Sequence, residues 1–154
     1  MTQMLEWMML HVRWADRRTE ASLRAFSSIP DEAIRLFAHV ATAERIYILR
    51  MRGEDPFPQD FWPDLTLDEA ARTASEAGDA LLPFVRESSD VQLQAPVRYR
   101  NSKGTYFKTP LVQMLMHLSH HGEHHRGQIA RIIREAGGIP AVTDFISFVR
   151  EEHP

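Results

Sequence analysis

The chain has 154 residues, of which 44% are hydrophobic and 25% are charged. These proportions are typical of a folded globular domain and not of a disordered or fibrous chain. The length predicts one domain over residues 1–154, large enough to bury its own core. A formal net charge of −3 argues against a nucleic-acid partner, because such proteins carry an excess of basic residues. The absence of cysteine excludes disulfides, zinc ribbons and a nucleophilic thiol belonging to the protein itself.

The hydropathy pattern predicts no membrane partner. No stretch of the sequence approaches the roughly 20 consecutive apolar residues that a membrane-spanning helix requires. The N-terminal residues also lack the basic and apolar regions of a secretory signal peptide. We therefore expect a cytoplasmic protein.

The first third of the chain predicts two long amphipathic helices. Apolar residues recur at spacings of three and four from about residue 3 to residue 26, with charged residues on the other faces. Pro30 marks the start of the second helix, because proline suits the first turn of a helix. This helix extends to about Arg52, and Gly53 ends it.

Residues 53–65 predict an irregular connection. The segment contains three prolines among Phe57, Phe61 and Trp62, a composition that prevents a regular element but is too aromatic to remain free in solvent. We expect a loop folded back on the helix ends. Its aromatic residues are candidates for covering either a functional site or a dimer surface.

The third helix begins at Thr66, which forms a capping-box pattern with Glu69. It extends to about residue 87, and Pro83 is expected to kink its last part or to end it early. Residues 90–108 then change to alternating apolar positions around the turn at residues 101–104, which predicts short β-like arms.

The longest helix is predicted from Leu111 to about Ala136. It follows Thr109-Pro110 and stops at a glycine pair, and a short final helix runs from about residue 143 or 144 to residue 150. Four long helices with apolar stripes predict an all-α four-helix bundle, with a long connection between the second and third helices.

Histidine is the residue type that points to function. Five of the eight histidines lie within residues 117–125, on the longest predicted helix. With an advance of about 100° per residue, only two of the five fall clearly on the inward, apolar stripe. The inward pair is His121 and His125, whereas His120 and His124 are expected to face solvent.

The inward pair predicts a metal site. His121 and His125 are spaced i, i+4, which places two imidazoles on one helix face, one turn apart. His39, on the apolar stripe of the second helix, is the better third ligand, and His11 on the first helix is the weaker alternative. The competing interpretation is that each histidine is an ordinary hydrogen-bonded core residue. Neutral imidazoles favour Zn, Ni, Fe or Cu over Mg or Ca, and three ligands leave a coordination position open for water or substrate.

Residues 121–129, HGEHHRGQI, closely resemble the last-helix signature of the DinB/YfiT-like superfamily of metal-binding four-helix bundles. The resemblance extends to residues 11–18, to His39 with residues 43–45, and to residues 138–144. It implies an up-down-down-up bundle in which His39, His121 and His125 bind one divalent ion, often zinc or nickel, with iron as a further candidate. His120 departs from the family pattern, since many relatives have asparagine there.

The resemblance also implies a chemistry. Characterised relatives use a low-molecular-weight thiol in transfer, conjugation or isomerisation, and a bound cation lowers the pKa of a coordinated thiol. Our first hypothesis is therefore a metal-dependent thiol S-transferase acting on small electrophiles, with a homodimer expected from the family. The alternatives are a stress-associated metal-binding module without catalysis and a helical interaction domain with merely packed histidines.

Four further residues stand out, and three of them have two interpretations. Arg126 and Gln128 are candidates for orienting ligands or substrate, although an arginine beside a core histidine is more often an interhelical salt-bridge partner. Trp14 is either a wall of the pocket or a core residue. Asp144 is most simply the N-cap of the last short helix. We expect His153 to face solvent, whereas the roles of His11 and His117 stay open.

Overall fold

The computed structural model describes residues 1–152, and His153 lies outside the described residues. This part of the chain forms six helices and one two-stranded antiparallel sheet. The elements are α1 (Thr2–Arg24), α2 (Asp31–Met51), α3 (Leu67–Glu87), α4 (Asp90–Gln94), β1 (Pro96–Arg100), β2 (Tyr106–Pro110), α5 (Leu111–Glu135) and α6 (Phe145–Glu152). No helix within the described residues is long and apolar enough to cross a membrane.

The four long helices α1, α2, α3 and α5 form the predicted bundle. Helices α2 and α1 each pack against both α3 and α5, so that α1 and α2 lie diagonally across the bundle. Helix α3 runs antiparallel to α1, since Arg86 pairs with Glu6 at one end and Asp68 with Arg24 at the other. This arrangement requires a long connection between α2 and α3, as the sequence predicts.

The remaining helix directions follow from contacts with α5. Helix α2 is antiparallel to α5, because the ring of His39 contacts His125 while Tyr47, two turns further on, contacts His117. Helix α1 is parallel to α5, because the start of each helix contributes to one apolar cluster and the end of each to another. The directions are up, down, down and up for α1, α2, α3 and α5, as expected.

The buried core is divided into two apolar clusters. One contains Leu5 and Leu115 from the first halves of α1 and α5, and the other contains Leu23 and Ile133 from their second halves. Burying side chains of this size stabilises the fold by roughly 1.5–3 kcal/mol each. The layer between the clusters contains buried polar residues: Asp16, His39, Glu44 and Arg126. The bundle therefore has a polar layer between two apolar ends.

The segment after α3 differs in part from the prediction. Residues 90–94 form a helical turn and not a β-like arm, because Ser89 and Gln92 make a capping box that starts a helix there. Strands β1 and β2 form the predicted hairpin, with Tyr99 opposite Phe107. Helix α3 is not ended early by Pro83, since it continues to Glu87. The Thr66 capping box is present as predicted.

Gly122 makes room for a buried arginine on its own helix. The Arg126 side chain has no exposed surface and folds back over Gly122, where a methyl group added at the glycine would lie 2.7 Å from Arg126 Nη1. The same Nη1 donates a 2.8 Å hydrogen bond to Asp16 on α1. The guanidinium is thus wedged between the glycine and its carboxylate partner. Gly127 on the same helix has no neighbour within 4 Å of the equivalent position.

We predict that Gly122→Ala destabilises the fold while Gly127→Ala stabilises it. A methyl at residue 122 displaces Arg126 from Asp16, an overpacking cost of about 1–3 kcal/mol. A methyl at residue 127 meets open space and gains about 0.5–1 kcal/mol from helix propensity. Urea unfolding followed by circular dichroism measures both free energies. Equal shifts in the two variants would contradict the wedged position of Arg126.

Candidate metal centre

Three histidines from two helices meet in the polar layer. One ligand atom from each of His39, His121 and His125 lies within 4.8 Å of the others, and His39 is buried while the other two are half-buried. The Nε2 atoms of His39 and His121 are 3.1 Å apart. Tetrahedral zinc with Zn–N bonds of about 2.0–2.1 Å separates its ligand nitrogens by roughly 3.3 Å. The spacing of this pair therefore suits a shared divalent ion.

In two of the three imidazoles, a hydrogen bond at Nδ1 leaves Nε2 free to bind a metal ion. His39 Nδ1 lies 2.6 Å from the carbonyl oxygen of Phe61, and His125 Nδ1 lies 2.7 Å from Oε1 of Gln128. Both oxygens only accept, so each Nδ1 carries the proton and each Nε2 keeps its lone pair. This is the arrangement by which protein groups orient metal-ligating histidines. The residues present thus fit a divalent metal ion bound through Nε2 atoms.

Burial keeps the imidazoles of His39 and His121 neutral. Desolvation, followed by the nearby His125 and His39 rings, lowers the pKa of His121 to about 3. Burial is also the main cause that lowers the pKa of His39, against the opposing effect of its hydrogen bond to the Phe61 carbonyl. Because a metal ion binds the unprotonated ring, both residues are in the ligand-competent form at neutral pH.

Residues 53–65, here called the aromatic loop, cover the histidine cluster. The Trp62 ring stacks on His39 with a centroid separation of 3.7 Å and an interplanar angle of 3°, and it meets His125 edge to face at 6.2 Å. Trp62 is also 43% exposed and lines a cleft of about 700 Å³ with the first turn of α2 and residues 63–66. The aromatic residues of the loop were predicted to cover either a functional site or a dimer surface. Phe61 and Trp62 contact the histidine cluster, in agreement with the first of these roles. Phe57 instead packs near Gly104 of the hairpin turn.

The structure places the other four described histidines outside the cluster. His11 is buried, and its Nε2 donates to the Thr143 carbonyl at 2.7 Å beside Phe145 and Phe148. It therefore holds the C-terminal segment and is not grouped with His39. His117 contacts both Tyr47 and His121 through its ring. His120 and His124 are exposed.

Two of the further predictions are decided by contacts with α6 and α1. Trp14 does not wall the cluster: it donates through Nε1 to Glu151 at 3.0 Å and packs against Phe148 of α6. Arg126 is an interhelical salt-bridge partner, as the more common interpretation predicts, through Asp16. Asp144 directly precedes α6, and its carbonyl accepts bonds from the amides of residues 147 and 148.

Behind the histidines lies a buried charge network of which the sequence predicted only that Arg126 forms an interhelical salt bridge. Arg126 pairs with Asp16 at 2.8 Å and with Glu123 at 3.3 Å. Glu44 is 1% exposed, and neither of its carboxyl oxygens has a donor among the described residues. A carboxyl group without a donor is satisfied by keeping its own proton. The sequence signal that could have indicated this network was Glu44, an acidic residue on the apolar face of α2.

One arginine cannot neutralise both buried carboxyl groups. Burial raises the pKa of Glu44 well above its ordinary value of 4.5, and the charge of Asp16 adds to the shift. Burial also raises the pKa of Asp16, but the Arg126 guanidinium opposes that change. Because Arg126 donates directly to Asp16, we assign the retained proton to Glu44, which then donates to Asp16.

The fold and the site together define the class of protein: four-helix bundles with a three-histidine cluster, here between α2 and α5. The sequence profile of the DinB family matches residues 1–153. The chain therefore belongs to the DinB family, and the resemblance seen in its sequence is confirmed.

One curated protein and one solved structure are similar to this chain. A stretch of 54 residues is 37% identical to protein DinB of Bacillus subtilis strain 168 and covers 35% of this chain and 31% of that protein, so the match spans about a third of the relative. The crystal structure of a DinB-like protein from Bacillus cereus ATCC 10987 has the same fold, with a TM-score of 0.60 and 20% identity. The superposition covers 91% of this chain and 93% of that chain.

We predict that Glu44→Gln reduces the loss of stability at alkaline pH. The folded chain keeps a proton on Glu44 that the unfolded chain releases above its ordinary pKa of 4.5. The free energy of unfolding therefore falls as pH rises above this value, until Glu44 ionises in the folded state. Glutamine keeps the size and the donor without the titration.

Urea unfolding of wild type and Glu44→Gln at about pH 6, 7.5 and 9 measures this linkage. The variant should gain stability relative to wild type as the pH rises. Glu87→Gln, at an exposed position near the end of α3, is the matched control and should follow wild type. Parallel profiles for wild type and Glu44→Gln would contradict a proton held by Glu44.

Proposed function

We propose that the protein binds one divalent metal ion through His39, His121 and His125 and uses it in thiol-dependent transfer to small electrophiles. The observation that carries the proposal is the convergence of three imidazoles whose ligand atoms lie within 4.8 Å of one another. Two of them have Nδ1 occupied by an accepting oxygen. Imidazole ligands favour zinc, nickel or iron over magnesium or calcium.

The absence of cysteine supports the use of an external thiol. A chain with no cysteine has no thiol nucleophile of its own, whereas a small thiol can reach a half-buried site. A divalent ion held by His39, His121 and His125 would supply a Lewis acid that lowers the pKa of such a thiol, so that the thiol would release its proton to solvent at neutral pH. The thiol sulfur would then form a bond to an electrophilic carbon, and the leaving group would take the electron pair of the bond that breaks.

The residues around the histidines orient the imidazole rings and border the site. Phe61 and Gln128 hold two imidazole rings in the ligand tautomer, and Trp62 covers one face of His39. Trp62 also borders the cleft of about 700 Å³, a volume within the range of small-molecule sites. We propose that the organic part of the electrophile enters by way of this cleft.

Metal analysis of tag-free protein tests the site itself. We expect about one divalent ion per wild-type chain and its loss in His39→Ala and in His125→Ala, because two imidazoles alone bind weakly. His120→Ala, on the exposed face of α5, is the control and should keep the ion. Full retention of metal in both ligand variants would refute the assignment.

A thiol-conjugation assay tests the chemistry. Purified metal-loaded protein, mixed with a low-molecular-weight thiol and a chlorinated aromatic or an epoxide, should form the conjugate faster than chelated protein does. The His125→Ala variant should fall to the chelated rate, and His120→Ala should match wild type. Metal binding without any metal-dependent rate, across bacillithiol, mycothiol and glutathione, would instead support a binding module without catalysis.

A further inference from the structure

Arg50, near the C-terminal end of α2, is a buried cation without an ion pair. The residue is 2% exposed, and no carboxylate of the described residues lies within ion-pair distance of it. Burying an unpaired charge is costly, and burial lowers the pKa of this guanidinium. Its surroundings therefore need to compensate for the lost hydration.

Aromatic faces and a carbonyl provide that compensation. The guanidinium carbon lies 4.7 Å from the ring centroid of Tyr99, 5.1 Å from Tyr47 and 5.3 Å from Phe61. Cation–π contacts of this kind are stronger when the cation is desolvated, as it is here. Arg50 also donates a 2.7 Å hydrogen bond to the carbonyl oxygen of Arg100. Its partners come from three places: α2, the hairpin strand β1 and the aromatic loop.

The loop and the hairpin are further joined to each other at this point. Arg100 pairs with Asp55 of the loop at 2.7 Å, and its guanidinium lies 4.2 Å from the ring centroid of Phe57. From this junction the loop continues to Phe61, whose ring faces Arg50 and whose carbonyl accepts from His39. Trp62 then stacks on the same imidazole. Arg50 and His39 thus hold the two sides of Phe61.

We propose that Arg50 is a positioning residue for the candidate metal centre. It fixes Phe61 and the end of β1 against α2, and through the Phe61 carbonyl and the Trp62 ring it sets the orientation of His39. The guanidinium suits this role because it is planar and delocalised, so it contacts several rings while donating to a carbonyl, whereas lysine carries a compact, strongly hydrated charge. The consequence for metal affinity rests on the proposed function, but the consequence for the loop does not.

The test uses a chain in which Trp62 is the sole tryptophan. Trp7→Phe and Trp14→Phe remove the other two of the three tryptophans, so the fluorescence reports on the ring stacked on His39. Arg50→Met and Arg50→Lys are placed in this background, with Arg45→Met, at an exposed position of the same helix, as the matched control. Acrylamide quenching is measured on metal-free protein, and Co²⁺ binding is followed by its visible absorption.

The proposal predicts that Arg50→Met moves Trp62 quenching from that of a 43% exposed ring toward that of a free indole. Co²⁺ affinity should fall about tenfold, with a changed absorption spectrum, as for other groups that orient metal ligands. Arg50→Lys should resemble Arg50→Met, and Arg45→Met should resemble the background protein. If Arg50→Met does not fold, Asp55→Asn weakens the same junction from the surface and should raise the quenching to a smaller extent.

Each other outcome has a definite meaning. A lower melting temperature with unchanged quenching and an unchanged Co²⁺ spectrum would assign Arg50 a merely structural role and overturn the proposal. Recovery of both signals in Arg50→Lys would overturn the need for a planar cation. If the background protein binds no Co²⁺, the proposed function fails, and the quenching of the metal-free variants still decides whether Arg50 holds the loop.

Discussion

The buried ion pair between Arg126 and Asp16 is the interaction on which the arrangement of this bundle depends. It places a fully buried guanidinium in the middle of a helix whose two halves belong to different apolar clusters. A buried charge is tolerated only where its partners are held in place, so α1 and α5 have little freedom to slide past each other. Glu44 brings α2 into the same layer, because its buried carboxyl group needs Asp16 as an acceptor. The three helices are thereby held at one level.

The three histidines use the rigidity of this layer. His121 and His125 lie on the turns of α5 adjacent to Arg126, and His39 lies a little more than one turn from Glu44 on α2. Fixing the charged groups therefore also fixes the relative height of the two helices that supply imidazoles. An interior of apolar residues alone would pack as tightly, but it would lack the directional contacts that Asp16 and Glu123 make with Arg126. Burying these charged groups costs desolvation free energy, and the same groups hold the ligand atoms of the two helices at their observed spacing.

Much of this fold and of the candidate site could be predicted from short-range patterns. The i, i+4 spacing and the 100° advance per residue selected His121 and His125, and the apolar stripe of α2 selected His39, because helix geometry is regular over many turns. The first turn after the third helix was predicted wrongly, since alternating Val91 and Leu93 also fit a helical turn once Ser89 and Gln92 form a capping box. Trp14 could not be assigned because its partner, Glu151, is 137 residues away along the chain.

The sequence by itself determined the helices, their inward faces and the membership of the DinB family, because these follow from local periodicity and from a contiguous motif. Only the tertiary structure decided what surrounds the three imidazoles. The Phe61 carbonyl carries no sequence signal, since every residue has a backbone oxygen, and its contact with His39 depends on how the loop folds. The role of Arg50 was equally hidden, because in the sequence it looks like any surface arginine. Only the fold brings the rings of Phe61 in the loop and Tyr99 in β1 against it, beside Tyr47 of its own helix.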